Sequence, residues 1–314
     1  MGLTAYSSFG QKAAITAGGE ATGSGGSLSY SIGEPMYTDI ANASGDVNQG
    51  VQQPEMNVRI SIKVLLSGPF DLSTGLMKDS LRMKGLIPTN EPYTAVPFSK
   101  PAILENAGES VTSTILNQAN QNAILDWVYI ELRAASSPAT IVATKRALLQ
   151  RDGDVVSNVD GVSPVMFARL LSGSYYVTVK HRNHLGVMTV APIALTTSAV
   201  SVDFTTLASV YSISGPINTP RRSEGGVYTL WSGDANFNKN TKYNGLSNDK
   251  DFILTNALGG AAFVNATLDG VYRPEDLNLD GKVRYNNADN DRGVILNTIG
   301  VSNTNNIFNQ HTPN

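Results

Sequence analysis

Two segments near the end of this chain are copies of one another. GDANFNKNTKYNGLSNDKDFIL begins at Gly233 and EDLNLDGKVRYNNADNDRGVIL at Glu275, and they align without a gap at an offset of 42 residues. Asp234, Asn236 and Asn238 match Asp276, Asn278 and Asp280; Tyr243, Asn248, Asp249, Ile253 and Leu254 match Tyr285, Asn290, Asp291, Ile295 and Leu296. A duplication that keeps polar and apolar positions together demands two copies of one local fold. Oxygen side chains at alternate positions of a tight loop suit a hard cation. Calcium takes about six to eight oxygens at about 2.3–2.6 Å, and a D-x-N-x-D/N-G run brings three side chains and a main-chain carbonyl around one centre. The expectation is two calcium-binding loop–helix units, with Asn240 and Lys282 at the carbonyl position. The competing reading is turn chemistry, because Asp, Asn and Gly bond local backbone and tolerate left-handed conformations.

The loop is not an EF-hand. Counting Asp234 and Asp276 as first, the twelfth position, where an EF-hand places a bidentate Glu, holds Gly245 and Asn287. Asp249 and Asp291 follow four residues later, so a longer loop is expected to close through those carboxylates and then open a short helix. Ile253 with Ala257, and Ile295 with Ile299, fall one turn apart on one face, with Gly259 and Gly300 as helix stops. Two such units can pack through their apolar faces. The arrangement resembles the paired calcium repeats of dockerin modules with a lengthened loop, and that resemblance implies a scaffold-protein partner.

The rest of the chain reads as β-structure. Residues 11–54 are rich in Gly and Ser; Leu28, Tyr30 and Ile32 alternate with serines in the period of a half-buried strand, and further strands are expected at Met36–Ile40 and Val47–Val51. So small a set cannot bury a core alone. It either packs on the next domain or adds strands to another molecule's sheet. From 55 to 210, Val58, Ile60, Ile62, Val64 and Leu66 alternate with polar residues, and Ala123–Leu132, Ala139–Leu149, Ser174–Lys180 and Val200–Phe204 give four more strands. Strands divided by Gly, Pro and Asn turns predict a mainly β chain built on an immunoglobulin-like or transthyretin-like sandwich. Gly68–Thr94 is expected as an irregular crossing with a helical turn. Residues 211–230, with Pro216, Pro220, Arg221 and Arg222, read as a linker, 231–302 as the repeat pair and 303–314 as a polar tail.

Composition narrows the function. The chain has no cysteine, which removes disulfides, thiol catalysis and cysteine-held metals, and its net charge of −3 gives no sign of nucleic acid as a partner. No stretch reaches the roughly 18 apolar residues of a membrane span. Residues 1–10 look like the end of a secretory signal, with Gln11 as the first mature residue, and calcium loops suit external calcium better than a cytosol.

KAAITAGGEATGSGGSLSYSIGE followed by QGVQQPE is similar to a block shared by secreted and surface proteins of the Bacteroidetes that carry a hemagglutinin label. ALLQRDGDVVSNVDGVSPV, KHRNHLGVMT and the paired YNGLSNDKDFIL and YNNADNDRGVILNTIG look like further parts of the same group. The resemblance implies secretion to the cell surface or matrix. Many members end in a β-rich sorting domain, whereas this chain ends in SNTNNIFNQHTPN.

Other chemistry is sparse. His181 and His184 in HRNHL are expected at a strand end, facing opposite sides, as a turn with a half-buried His181 rather than a metal pair. Asp152, Asp154 and Asp160 either hold a third calcium or make two tight turns. Asp79-Ser80-Leu81 fits a D-[ST]-aliphatic pattern for O-linked sugar. Trp127 and Tyr129 are either core or, if exposed, a stacking platform for sugar. No nucleophile elbow or phosphate-binding loop occurs, and the expected molecule is non-catalytic. It is read as a calcium-stabilised extracellular fibre or matrix subunit that polymerises with itself by β-strand addition. The alternatives are a calcium-dependent adhesin or lectin for cell-surface glycans, and a dockerin-like module.

Overall fold

The structure, a computed structural model, describes residues 56–313 in full and, of the first 55, the backbone of four strands. The chain divides into two compact units after Glu55. In the first, β1 (Ala17–Gly23) pairs antiparallel with β2 (Gly26–Ile32), and β3 (Thr38–Asn42) with β4 (Gly45–Gln49). The readings on residues 1–10 and on the faces of Leu28, Tyr30 and Ile32 lie outside the described residues.

The second unit is mainly β. Its first strand, β5 (Asn57–Lys63), alternates buried and half-buried residues as the sequence pattern dictates, placing Val58, Ile60 and Ile62 in the core. The crossing that follows holds a hairpin, β6 (Phe70–Asp71) and β7 (Leu76–Met77), then a single turn α1 (Ser80–Met83), whose Leu81 is completely buried. A second turn, α2 (Ser113–Leu116), is capped by the Thr112 hydroxyl. The remaining strands are β8 (Ile124–Ala134), β9 (Ile141–Gln150), β10 (Asp154–Val156), β11 (Val165–Ala168), β12 (Gly173–His181), β13 (His184–Met188), β14 (Ile193–Leu195) and β15 (Val200–Asp203).

Together these make one nine-stranded, largely antiparallel sheet in which β5 pairs with β10, β11 and, in parallel, β15, and β12 carries β8 on one side and β13 and β14 on the other. The sheet rolls far enough for its ends to approach: the chain leaving β14 offers the Thr196 carbonyl to the Arg59 N–H at 3.0 Å. One continuous apolar cluster, from Val58 through Trp127, Ile130, Phe167 and Phe204, fills the interior.

Strand β8 does not alternate; ten consecutive residues, Ile124–Arg133, are buried, because one face meets the core and the other lies under the segment of residues 88–105. Tyr93 Oη donates to the Trp127 carbonyl at 2.8 Å, Trp127 Nε1 to the Pro88 carbonyl at 2.9 Å, and Tyr129 Oη to the Pro101 carbonyl at 2.8 Å. Trp127 and Tyr129 are therefore core residues and offer no face to a sugar.

The stretch 211–230 is bonded to the sheet on both sides. Val210 bridges to Thr189 and Leu230 to Leu66, and β16 (Arg222–Glu224) forms a hairpin with β17 (Val227–Thr229). Arg221 turns inward, its Nη1 donating to the Phe204 carbonyl at 2.7 Å and its Nη2 to that of Leu207 at 2.8 Å.

Replacing Leu81 by Ala is expected to cost about 2–5 kcal/mol, the range for a buried leucine, in urea unfolding. Leu72→Ala, on a side chain 64% exposed, is expected to stay within about 0.5 kcal/mol. Equal effects would remove the crossing from the core.

Candidate metal centre

The duplicated segments repeat in backbone detail. Four residues of the first loop have left-handed φ: Phe237 at 63°, Lys239 at 68°, Gly245 at 89° and Ser247 at 56°. Their counterparts 42 residues on, Leu279 at 56°, Gly281 at 76°, Asn287 at 74° and Asp289 at 53°, do the same. A left-handed conformation costs a residue with a Cβ roughly 1–2 kcal/mol, so keeping it at Phe237, Lys239 and Leu279 means the loop path outweighs the strain. Each loop then runs through a short strand, β18 (Asn240–Lys242), and, after the intervening β19 (Thr267–Asp269), β20 (Lys282–Arg284). Asn248 caps α3 (Asp249–Phe252), accepting from Asp251 N at 2.8 Å, and Asn290 caps α4 (Asp291–Ile299), accepting from Gly293 N at 2.7 Å. Lys250 over the Tyr243 ring and Arg292 over the Tyr285 ring complete the correspondence.

Side-chain oxygens gather in both loops. Asp234 Oδ2 accepts from Lys239 N at 3.1 Å, and Asp276 Oδ2 from Gly281 N at 2.8 Å, the same position. Asp249 accepts from Ala235 N at 2.9 Å and Lys242 N at 2.8 Å, matched by Asp291 with Leu277 N at 2.7 Å and Arg284 N at 2.8 Å. The closing carboxylates thus reach back across the loop, where a Glu would stand in an EF-hand. Asn236 and Asn238 each turn an amide N–H to the Ser247 carbonyl, Asn278 does so to the Asp289 carbonyl, and Asp280 Oδ1 accepts from Lys282 N at 2.9 Å.

The electrostatics favour a positive guest. Burial pushes Asp234 and Asp276 up to about 7. Asp249 and Asp291 rise well above the usual range through burial and then through the charge of Asp234 and Asp276 respectively. Asp234 Oδ1 and Asn240 Oδ1 are buried without a hydrogen-bond partner. These features fit a divalent cation, which would neutralise each carboxylate pair and give the orphaned oxygens a partner. Lys282 takes no part by its side chain, whose Nζ pairs with Asp269 at 3.2 Å, leaving only its carbonyl for an ion. Among the described residues no group of three or more His, Cys, Asp or Glu gathers at metal-binding distance, so neutral oxygens would have to supply part of any shell.

The two units are exchanged through their following strands. The strand after the first helix, β19, pairs with β20 of the second loop, and the strand after the second helix, β21 (Ile307–Asn309), pairs with β18 of the first. Ile253 and Ile295 share one buried cluster with Ala235, Leu277 and Val283, packing the two units through the expected faces. The polar tail is accordingly built in: Gln310 Oε1 accepts from Gly186 N at 2.9 Å, and the Pro313 carbonyl from Arg133 Nη2 at 3.3 Å.

Both loops are mounted on the sheet by the HRNH turn. His181 and His184 are wholly buried rather than half-buried, and they do not face apart: the chain reverses between β12 and β13, bringing their Nδ1 atoms within 3.1 Å. Asn183 donates to the carbonyls of Pro274 at 3.0 Å and Asp276 at 2.7 Å, while its own carbonyl accepts from Gly233 N at 3.1 Å. One asparagine thereby holds the start of each loop. Arg182 bonds Asp126 at 2.8 Å and the Arg273 carbonyl, and its guanidinium lies 4.3 Å from the Tyr272 ring centroid. Tyr272 Oη returns to Asp126 at 2.6 Å. Burial alone would raise Asp126, but Arg182 and His181 hold its carboxyl well below the usual range. The sequence signals for this joint were an acid, Asp126, inside the apolar run ILDWVYI and four polar residues between apolar strands.

The remaining candidates are engaged locally. Asp160 accepts from Val162 N, Ser163 N and the Ser163 hydroxyl, and Asp152 from Asp154 N, which is turn chemistry, while Asp154 pairs across β10 and β5 with Lys63 at 3.1 Å. Asp79 is buried against Arg82 and Arg151, with Ser80 half-buried beside it. Comparison of the chain with family models, curated proteins and solved structures returns no match.

Burial pushes His181 below its ordinary value and His184 well below it. The folded chain therefore binds fewer protons there than the unfolded one, so this joint's contribution to stability is lost as pH falls through about 6.5. The neighbouring charges are Asp126 and Arg182, and each histidine faces the other. His184→Gln, able to accept from Gly68 N as His184 Nε2 does at 3.1 Å, is expected to flatten the difference in urea midpoint between pH 7.5 and 5.5 relative to wild type. An identical slope in both proteins would place the proton uptake elsewhere.

Proposed function

We propose that the protein is a non-catalytic extracellular structural subunit of a surface fibre or matrix, whose immunoglobulin-like or transthyretin-like sandwich carries two calcium-binding loops. The observation that supports this most is the pair of matching loops, each with two buried carboxylates and both tied to the sandwich by Asn183. Calcium in them would lock the C-terminal unit onto the sheet, a stiffening device that needs no catalytic group. The ligands on this reading are Asp234, Asn236, Asn238 and Asp249 with the Asn240 carbonyl or side chain, and Asp276, Asn278 and Asp291 with the Lys282 carbonyl; Asp280 is paired with Arg284 and would join the second set on leaving that arginine.

Assembly on this reading proceeds by strand addition. The first unit offers two short hairpins, and β15 pairs only with β5 among the described strands, leaving an edge of the kind that accepts another strand. Head-to-tail contacts that do not close into a ring generate filaments. No helix among the described residues is long and apolar enough to cross a membrane.

Calcium titration is expected to show two sites in the wild type and one each in Asp249→Ala and Asp291→Ala. At a hundredfold excess over Kd each site adds about 2.7 kcal/mol, so both variants should melt lower than wild type in calcium and lose that deficit in EGTA. Electron microscopy of the wild type is expected to show filaments in calcium that fray on chelation. Single particles in both conditions would sink the fibre reading, and an unchanged melting point the calcium reading.

A further inference from the structure

The chain before β8 and the turn after β9 border an open cleft of about 850 Å³. That lies within the roughly 300–1,000 Å³ of small-molecule sites. Five of its lining residues fall in the run NQANQN, Ala119 and the four amides Gln118, Asn120, Gln121 and Asn122. Gln118 Oε1 is buried without a partner, and the side chains of Asn120, Gln121 and Asn122 are exposed and bond no described residue. The walls are fixed. Gln150 Nε2 donates to the Gly161 carbonyl at 3.0 Å, and Gly161, at φ 71°, sits so close that a Cβ there would lie 2.6 Å from Ile115 Cγ2 and 3.0 Å from Gln118 Nε2. Arg151 is held by Nε to the Met77 carbonyl at 3.1 Å and by its approach to Asp79. Asn120 takes φ 64° to begin the turn that presents Gln121 and Asn122.

We propose that this cleft is a carbohydrate-binding site. A carboxamide places a donor and an acceptor side by side in one plane, the pattern that adjacent sugar hydroxyls present in reverse. Leu76 and Val162 supply apolar edges for the C–H face of a ring. The lining holds no carboxylate, so the paired acids of glycoside hydrolysis are missing from it and the site binds without cleaving. It offers a single cation, Arg151, already turned to Asp79, which is too little for a phosphate backbone. A preformed wall with unemployed amides loses little entropy when a ligand arrives. None of these residues belongs to the calcium loops, so the proposal stands or falls separately from the fibre reading.

The test is calorimetric titration of the full chain with cello-, malto-, xylo-, manno- and chitotetraose, in calcium and in EGTA, with N-acetyl-tetraalanine amide as the peptide probe. At least one tetraose is expected to bind saturably in both buffers, and Gln121→Ala with Asn122→Ala to weaken it at least tenfold. Both side chains are exposed, so an unchanged melting temperature certifies the fold of that variant, and the single variant Gln121→Ala serves if it shifts. Failure of all five sugars, equal binding by the double variant, binding lost in EGTA, or preference for the peptide would each overturn the proposal.

Discussion

Two pairs of carboxylates held out of water set the terms for the C-terminal third of this molecule. Asp234 with Asp249, and Asp276 with Asp291, are buried; burial raises all four, and the charge of Asp234 and Asp276 raises Asp249 and Asp291 further. A buried anion needs a proton, a countercharge or a dense set of N–H donors. The loops supply part of the last, through backbone donors at matching positions, at the expense of left-handed φ at Phe237, Lys239 and Leu279. A divalent ion would complete the set, which is why the proposed role for calcium is structural and local.

The loops would be a loose appendage if that were their only support. They are not, because the HRNH turn inserts a fully buried polar network between sheet and loops. Asp126 receives Arg182, His181 and Tyr272, and Asn183 divides its bonds between the first and second loops. Polar groups at such depth are costly when unpaired and directional when paired, so the network fixes one orientation of the loop pair on the sheet. The reciprocal strand pairing adds a second restraint: displacing either unit breaks β18–β21 or β19–β20. A displacement of one loop would therefore be passed to the other and to β12.

What the sequence disclosed follows the range of each interaction. The loop side chains lie close in sequence, so the duplication and the aspartates that reach back across each loop were legible from spacing, and so was the packing of the two units through the faces that carry Ile253 and Ile295. Strand β5 was legible because one of its faces is buried, whereas β8 was found as a strand but not as a doubly covered one, since the cover comes from residues 88–105. The joint draws on positions 126, 181–184 and 272–276, which no window brings together. His181 and His184 illustrate the cost: on a continuing strand they would face apart, and only the reversal between β12 and β13 brings the rings into contact. The tail 303–314 was read from its polarity, but three residues of strand and two buried side chains, Gln310 and His311, suffice to fix it.

That fixation bears on how copies would join. A donor strand has to be free of its own subunit, and β21 is not, being held by β18 on one side while Asn218 bonds the Asn309 N–H at 2.8 Å and accepts His311 at its carbonyl. Releasing it would unpair the first loop's strand and strip Gly186 of its Gln310 partner, undoing the mounting that the loops depend on. The described strands of the first unit pair in their own two hairpins, β1 with β2 and β3 with β4. Under the proposed fibre reading, strand addition would therefore run in one direction, with residues 17–49 as donor and the β15 edge as acceptor. A directional contact of that kind uses different surfaces on the two partners, which is the condition for an open filament rather than a closed pair.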